Sequence, residues 1–172
     1  MIPRVVWLTG LSGAGKTTIA NLLSSYLTSK GFSVKLLDGD DIRSSIHSHL
    51  GFTAEDIIRN NHLVAEWCRK HIDKYDFIIV AMISPFIKSR EEVGKIVGDG
   101  YVEVFVRASL VEVIRRDVKG LYINALSGKM QNFIGIDPAV PYEVPTNPTI
   151  VIDTEKSDAE ACLKTLISRL GV

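Results

Sequence analysis

Gly10-Leu11-Ser12-Gly13-Ala14-Gly15-Lys16-Thr17 is the stretch that decides the fold, because it matches the phosphate-binding pattern G-x-x-x-x-G-K-[ST]. It directly follows an apolar run at 5–9, where a buried strand is expected to lead into a helix. The glycines let backbone N–H groups turn towards phosphate oxygens, and the helix N-terminus adds partial positive charge. The pattern therefore predicts a site for a nucleoside triphosphate.

The residues of this P-loop have separate expected tasks in binding ATP. Lys16 is expected to reach the β- and γ-phosphates as a point charge, which makes it a candidate catalytic residue. The hydroxyl of Thr17 is expected to ligate Mg²⁺. The predicted ATP-binding residues are Gly10, Leu11, Ser12, Gly13, Ala14, Gly15, Lys16, Thr17, Thr18 and, further along the chain, Arg116.

The overall composition excludes several other kinds of protein. The chain has 172 residues, which suits one domain, and its 20 basic and 20 acidic residues give a net charge of zero. A chain-wide positive field for binding nucleic acid is therefore not expected, and the longest apolar run, 77–83, is too short to cross a bilayer. We expect a cytoplasmic protein with a small-molecule nucleotide as its partner, no nucleic acid and no membrane; a homodimer is compatible with the sequence.

Apolar runs alternate with segments of helical periodicity along the chain. This alternation predicts an α/β fold of three layers, with helices on both faces of a mainly parallel five-stranded sheet. The expected strands are 5–9, 33–37, 77–81, 102–106 and 150–153, and the expected helices are 16–29, 54–75, 88–97, 109–116 and 158–170.

One segment, 117–148, departs from this alternation, and we call it the lid segment. Its end contains four of the six prolines, Pro138, Pro141, Pro145 and Pro148, which exclude a helix or a central strand there. Long irregular segments in compact domains often act as lids, and phosphoryl transfer requires that water be excluded. We therefore predict that this segment covers the phosphate site.

Two carboxylates, Asp38 and Asp40, follow the second predicted strand. The carboxyl ends of parallel strands lie on the ligand side of such a sheet. We predict that one carboxylate holds Mg²⁺ through water while the other accepts a hydroxyl proton from the phosphoryl acceptor, so both are candidate catalytic residues. Asp40 and Thr17 are the expected metal-binding residues. A solvated acidic turn with a helix cap is the alternative interpretation of the same residues.

These features, in this order, resemble the adenylylsulfate kinase family of P-loop kinases, which phosphorylate the 3′-hydroxyl of adenosine 5′-phosphosulfate. The resemblance extends through most of the chain. The matching stretches are 10–18, 37–43 (LDGDDIR), 50–52 (LGF) with Asp56 and Asn60, 83–85 (ISP), 116–122 (RDVKGLY), 133–137 (FIGID) and 142–145 (YEVP).

The resemblance implies a site for the acceptor nucleotide beside the P-loop. Phe52 and Phe133 would enclose its base, Arg43 and Asn60 would bind its sugar and anionic part, and Ile83 would touch the base through its backbone. Ser84 matches a serine that is phosphorylated in some members. The expected acceptor-binding residues are Arg43, Phe52, Asn60, Ile83, Ser84, Lys119, Phe133 and Gly135.

The departures from the family pattern fall at the acceptor end. Ile57 occupies the position of an arginine that grips the phosphosulfate, and Ile134 that of a threonine; Ile87, Ile123 and Leu126 occupy positions that are often basic. Adenosine 5′-phosphosulfate is the acceptor that the resemblance implies most directly. A related kinase for cytidine diphosphoramidate is one alternative, and a P-loop module that senses nucleotide without phosphoryl transfer is another.

Overall fold

The computed structural model describes residues 4–45 and 50–172, and in 43–45 it describes the backbone alone. Its strands are β1 (Val5–Thr9), β2 (Val34–Asp38), β3 (Phe77–Ala81), β4 (Tyr101–Arg107) and β5 (Ile150–Asp153). Within the described residues the α-helices are α1 (Lys16–Ser29), α2 (Gly39–Ser45), α3 (Ala54–His71), α4 (Ile87–Val97), α5 (Leu110–Arg116), α6 (Leu121–Leu126) and α7 (Ala159–Leu170).

All five strands are parallel, in the order β2-β3-β1-β4-β5, which confirms the predicted fold class. β1 is central and pairs with β3 on one side and β4 on the other, with Val5 opposite Ile78 and Tyr101. The chain therefore crosses from one side of β1 to the other after β3. Ligands of open parallel sheets bind at such a switch point, beyond the carboxyl ends of the strands.

The side chains of β1 alternate between two separate hydrophobic cores. Val6 and Leu8 pack with residues of α1 and α7, such as Leu23 and Leu166. Val5 and Trp7 pack on the opposite face with residues of α3 and α4, including Val64 and Val93. Burial on both faces explains why the strands are almost continuously apolar in sequence.

Several helices begin at side-chain caps that the sequence contains. Thr53 Oγ1 accepts a hydrogen bond from the backbone N–H of Asp56 at the start of α3, and Asp158 accepts one from Ala161 at the start of α7. Ser109 caps α5 in the same way, so the predicted starts at 109 and 158 lie one residue early. Such caps satisfy backbone donors that a helix leaves unpaired at its first turn.

Two short helices are not among the helices predicted with bounds from the sequence. α2 begins at Gly39, immediately after β2, and α6 interrupts the lid segment, which is otherwise turns and irregular backbone from 127 to 149. The uniformly irregular lid segment that the sequence predicted is therefore wrong for 121–126. None of the helices in the described ranges has the length and apolar character that membrane crossing would require.

Candidate active site

The P-loop connects β1 to α1 and is closed by its own lysine. Gly15, with φ of 97°, caps α1 in a left-handed conformation that favours glycine. Lys16 is 8% exposed, and its Nζ donates to the carbonyl oxygens of Gly10 at 2.9 Å and Leu11 at 2.8 Å. The ammonium group thus lies inside the curve of the loop, where a phosphate would be cradled.

Burial changes the acid–base behaviour of this lysine. Desolvation lowers the pKa of Lys16 to about 8, although the negative charges of Asp38 and Asp40 act in the opposite direction. The charged form therefore predominates at neutral pH and is lost as the pH rises through 8.

Asp38, the last residue of β2, is held in place by two hydrogen bonds. Its Oδ2 accepts from Thr17 Oγ1 at 2.7 Å, and its Oδ1 accepts from the backbone N–H of Asp40 at 2.9 Å. Asp40 lies in the first turn of α2 and forms an exposed ion pair with Lys119 of the lid segment. The two predicted carboxylates are therefore close together, one of them fixed beside the P-loop and the other joined to the lid segment.

The hydroxyl of Thr17 and the neighbouring carboxylates form a donor set that suits Mg²⁺. Mg²⁺ is usually bound by one or two such oxygens together with substrate phosphates, without a complete protein cage. In the described ranges no group of three or more His, Cys, Asp or Glu side chains could hold a metal. Thr17 contacts Asp38 and not Asp40, so the predicted metal role of Asp40 stays a prediction.

These groups open into one cavity of about 270 Å³ at the carboxyl end of the sheet. The P-loop, the start of α2, α3, the lid segment and residues 82–86 between β3 and α4 (the β3–α4 loop) contribute to it. The predicted site residues that line it are Ser12, Gly13, Gly15, Lys16, Thr17, Thr18, Asp38, Asp40, Phe52, Asn60, Ile83, Ser84 and Lys119.

The predicted acceptor residues in this cavity have different environments. Phe52 is 55% exposed, whereas Asn60 of α3 is buried. Ser84 is also buried, and its hydroxyl accepts a hydrogen bond from Trp7 Nε1 at 2.9 Å. A half-exposed aromatic ring beside buried polar groups is an arrangement suited to binding a base together with its sugar.

Some predicted residues lie elsewhere. Phe133 packs edge-on against Tyr122, with ring centroids 5.0 Å apart, and it is the next residue, Ile134, that lines the cavity. Gly135 faces Leu11 and does not line the cavity. Arg43 lies on α2, but its side chain falls outside the described part of the chain. Also absent from the cavity lining are Gly10, Leu11, Ala14 and Arg116.

Arg116 contacts the backbone of the P-loop and does not line the cavity. Its guanidinium donates to the carbonyl oxygen of Gly13 at 3.3 Å and to that of Thr154 at 2.7 Å. Glu112 accepts from both Arg115 and Arg116, and these hydrogen bonds lower the pKa of its carboxyl to about 2. In this conformation Arg116 acts on the loop backbone and does not face the cavity.

Sequence analysis did not identify several lining residues of the lid segment. Tyr122 donates from its hydroxyl to the carbonyl of Ser12 at 2.9 Å, which attaches α6 to the P-loop. Asp117, Val118 and Leu121 line the cavity beside it. They all belong to the stretch 116–122, which the sequence matched to the family pattern. Which of its residues line the cavity could not be predicted, because the helix α6 was not.

A P-loop at the end of a central parallel strand, facing carboxylates at the end of a second strand, defines a P-loop phosphotransferase. Comparison with known proteins identifies the family within this class. The family model for adenylylsulphate kinase matches residues 2–153, and the chain belongs to this family.

Two curated relatives support this assignment. The adenylyl-sulfate kinase of Clostridium kluyveri is 42% identical over 167 residues, which cover 97% of this chain and 83% of the relative. That of Pseudomonas aeruginosa is 44% identical over 169 residues, which cover 98% and 85%. The structure of the Mycobacterium tuberculosis APS kinase CysC in complex with AMPPNP and APS superposes with a TM-score of 0.91 at 34% identity, covering 99% of this chain and 98% of that one.

Proposed function

We propose that the protein transfers the γ-phosphoryl group of ATP to the 3′-hydroxyl of adenylyl sulfate (adenosine 5′-phosphosulfate). The bond between the γ-phosphorus and the β,γ-bridging oxygen breaks, a bond from phosphorus to the 3′-oxygen forms, and the hydroxyl proton leaves to a base. The main support is the single cavity that joins the P-loop to Asp38 and to the residues expected around an acceptor. Similarity to kinases named for this reaction supports the choice of substrate.

Several groups in the cavity have a proposed role in this transfer. Lys16 holds the β- and γ-phosphates, and Asp38, which two hydrogen bonds orient, accepts the proton of the 3′-hydroxyl. Thr17 and Asp40 would hold magnesium, which when bound neutralises charge that develops on the phosphates. Movement of Lys119 with the lid segment would release Asp40 for this role. Phe52, Asn60 and Ile83 would position the acceptor.

A kinase with a different acceptor, such as cytidine diphosphoramidate, is a second candidate that one observation favours. Ile57 and Ile134 line the cavity and pack with Val140 in a small apolar cluster. In the family pattern an arginine that grips the phosphosulfate stands at position 57, and a threonine stands at position 134. A non-catalytic nucleotide sensor is a third candidate. A fixed carboxylate beside Thr17 argues against it, since sensing requires no base.

One assay separates these three candidates. Purified protein with ATP and Mg²⁺ is offered adenylyl sulfate, cytidine diphosphoramidate or simple nucleoside monophosphates, and release of ADP is followed. We expect turnover with adenylyl sulfate. Turnover with another acceptor alone would overturn the proposed substrate, and tight ATP binding without any turnover would identify a sensor.

Introducing the missing cation should improve binding of adenylyl sulfate. We expect Ile57→Arg to lower KM for adenylyl sulfate about tenfold, because a charge-assisted hydrogen bond to an oxyanion contributes about 1.5–3 kcal/mol. Ile58→Arg is the matched control, since Ile58 is the next residue on α3 and does not line this cavity. Initial rates are measured after thermal melting has verified that both variants are folded. An unchanged KM would show that position 57 is remote from the acceptor's anion.

Affinity for ATP should fall in alkaline solution. Because the pKa of Lys16 is lowered to about 8, its charge is lost above that pH, and we expect Kd for ATP to rise about tenfold from pH 7 to pH 9. Calorimetry at constant ionic strength measures this change. Lys16→Met, which has no charge to lose, should bind ATP weakly at both pH values. A wild-type Kd that stays constant would contradict the assigned role of Lys16.

The compartment and assembly are further parts of the proposal. We place the protein in the cytoplasm, because Cys68 and Cys162 are both free thiols, which suits a reducing compartment. A homodimer is proposed as the assembly, and the molar mass from light scattering tests it.

A further inference from the structure

Arg90 is a buried charged residue that the proposed mechanism does not use. It lies in the first turn of α4 and is 2% exposed. A cation at a helix N-terminus opposes the helix dipole, and burying it is costly without partners. A buried charge at this position therefore has to be stabilised by hydrogen bonds to other parts of the chain.

The guanidinium of Arg90 joins two segments that are distant in sequence. Its Nη1 donates to the carbonyl oxygen of Ser84 at 2.7 Å, in the β3–α4 loop, and its Nη2 donates to that of Glu143 at 2.8 Å, near the end of the lid segment. Its Cζ lies 5.9 Å from the ring centroid of Tyr142, and Glu103 Oε1 of β4 lies 3.5 Å from its Nε. One planar group therefore bridges both segments and rests on the sheet.

The first of these segments forms a wall of the cavity and has a strained backbone. Ser84 has φ of 45°, a conformation that is unfavourable for residues other than glycine. The neighbouring carbonyl of Ile83 accepts from Thr9 Oγ1 at 2.6 Å. A strained loop keeps its shape only when its surroundings over-determine it, and the bond from Arg90 to the carbonyl of Ser84 is part of that restraint.

The second segment is also attached to the β3–α4 loop and to the first residue of α4. The backbone N–H of Glu143 donates to the carbonyl of Pro85 at 2.8 Å, and the N–H of Ile87 donates to Glu143 Oε2 at 2.6 Å. The hydroxyl of Tyr142 lies 3.1 Å from Thr9 Oγ1. The end of the lid segment and the β3–α4 loop thus form one hydrogen-bonded unit around the side chain of Arg90.

We propose that Arg90 is a positioning residue that fixes the β3–α4 loop to the end of the lid segment and so preforms the acceptor half of the cavity. This inference rests on the proposed function, because it assigns that half to the acceptor nucleotide. Arg90 contacts the backbone of this wall and does not line the cavity, so its effect on the acceptor is indirect. The P-loop makes no hydrogen bond to Arg90 among the described residues, and its bond to the β3–α4 loop, from the N–H of Gly10 to the carbonyl of Ile83, is long at 3.4 Å. We therefore expect ATP binding to depend far less on Arg90 than acceptor binding does.

Kinetics of Arg90→Gln and Arg90→Lys test this proposal. We expect KM for the acceptor to rise about tenfold or more in Arg90→Gln and by a smaller factor in Arg90→Lys, which keeps the charge but loses the fork of donors. The Kd for ATP without acceptor should stay within about twofold of the wild type. Arg107→Gln is the matched control, because Arg107 pairs with Asp153 at the exposed end of β4. Loss of kcat with an unchanged acceptor KM, or an equal loss of ATP affinity, would overturn the proposal.

Hydrogen exchange tests the same inference without any turnover. In Arg90→Lys, amides of the β3–α4 loop and of 140–145 should exchange at least about tenfold faster while the core strands stay protected. If Arg90→Gln does not fold, Glu143→Gln, which weakens the bond to the N–H of Ile87, should give the same pattern. Uniformly faster exchange would indicate a general structural role and contradict the proposal. Inactive wild-type protein would instead refute the proposed function, and the exchange result would still decide the role of Arg90.

Discussion

Asp38→Asn is expected to lower kcat about 1000-fold, because it removes the group proposed to accept the proton of the acceptor hydroxyl. Asparagine has nearly the same shape and can still accept the hydrogen bond that Thr17 donates to Asp38 in the wild type. The Kd for ATP should therefore stay within about twofold of the wild-type value. Rapid-quench measurement of the transfer step, with calorimetry for ATP, gives both quantities.

Two neighbouring aspartates serve as controls for this prediction. Asp41→Asn makes the same chemical change at an exposed residue that does not line the cavity, and kcat should be nearly unchanged. Asp40→Asn should raise the Mg²⁺ concentration needed for half-maximal rate, whereas Asp38→Asn should leave it unaltered. If instead Asp38→Asn raised the Mg²⁺ requirement and Asp40→Asn did not, Asp38 would be the metal ligand and Asp40 the base. Near-wild-type kcat in Asp38→Asn would exclude Asp38 as the base.

Gly10→Ala is expected to destroy ATP binding and to destabilise the fold. Gly10 has φ of +153°, and a Cβ added there would lie 2.4 Å from the backbone carbonyl oxygen of Val106 in β4. That oxygen belongs to the strand beside β1 and cannot move aside as a flexible side chain would. We expect the free energy of unfolding to fall by about 2–4 kcal/mol, combining backbone strain and overpacking.

Gly31→Ala is the control that isolates the cost of backbone conformation. Gly31 also has positive φ, at +88°, but a Cβ there would meet nothing within 4 Å. In Gly31→Ala the free energy of unfolding should fall by about 1 kcal/mol, and the affinity for ATP should be unchanged. Denaturant unfolding and calorimetry compare the two variants. Wild-type affinity for ATP in Gly10→Ala would contradict the described geometry of the P-loop.

The regular elements could be predicted because their signals are local. Three of the five strands, β1, β3 and β5, have the predicted bounds, since each is a short apolar run, and β1 and β3 are buried on both faces. The helix α1 also matches, because its apolar positions repeat at helical spacing. Errors of one residue at β2 and α4 reflect helix and strand ends that no local signal marks.

The short helix α6 could not be predicted because tertiary contacts stabilise it. Gly120 precedes it and has a left-handed conformation, and Asp117 accepts hydrogen bonds from the backbone N–H groups of Tyr122 and Ile123. The hydroxyl of Tyr122 reaches the P-loop, far away in sequence. A six-residue segment is too short to be helical by itself, and these contacts are invisible in a local pattern.

In the candidate site, the residues that belong to a motif or a strand end could be predicted and the others could not. The P-loop and Asp38 follow from a motif and a strand end, so the structure places them beside one another as expected. The sequence could not show which of Phe133 and Ile134 lines the cavity. Irregular backbone has no periodicity that distinguishes two adjacent apolar residues. Arg90 was missed for a related reason, since its partners are backbone carbonyls that the sequence cannot reveal.

The most direct test of the central claim is to identify the product of the wild-type protein with ATP, Mg²⁺ and adenylyl sulfate by ³¹P NMR. We predict one new phosphomonoester signal, coupled to the proton on the 3′-carbon of the adenylyl sulfate ribose and formed in equal amount with ADP. Phosphate on another hydroxyl, or ADP formed without any phosphorylated adenylyl sulfate, would contradict the proposed reaction.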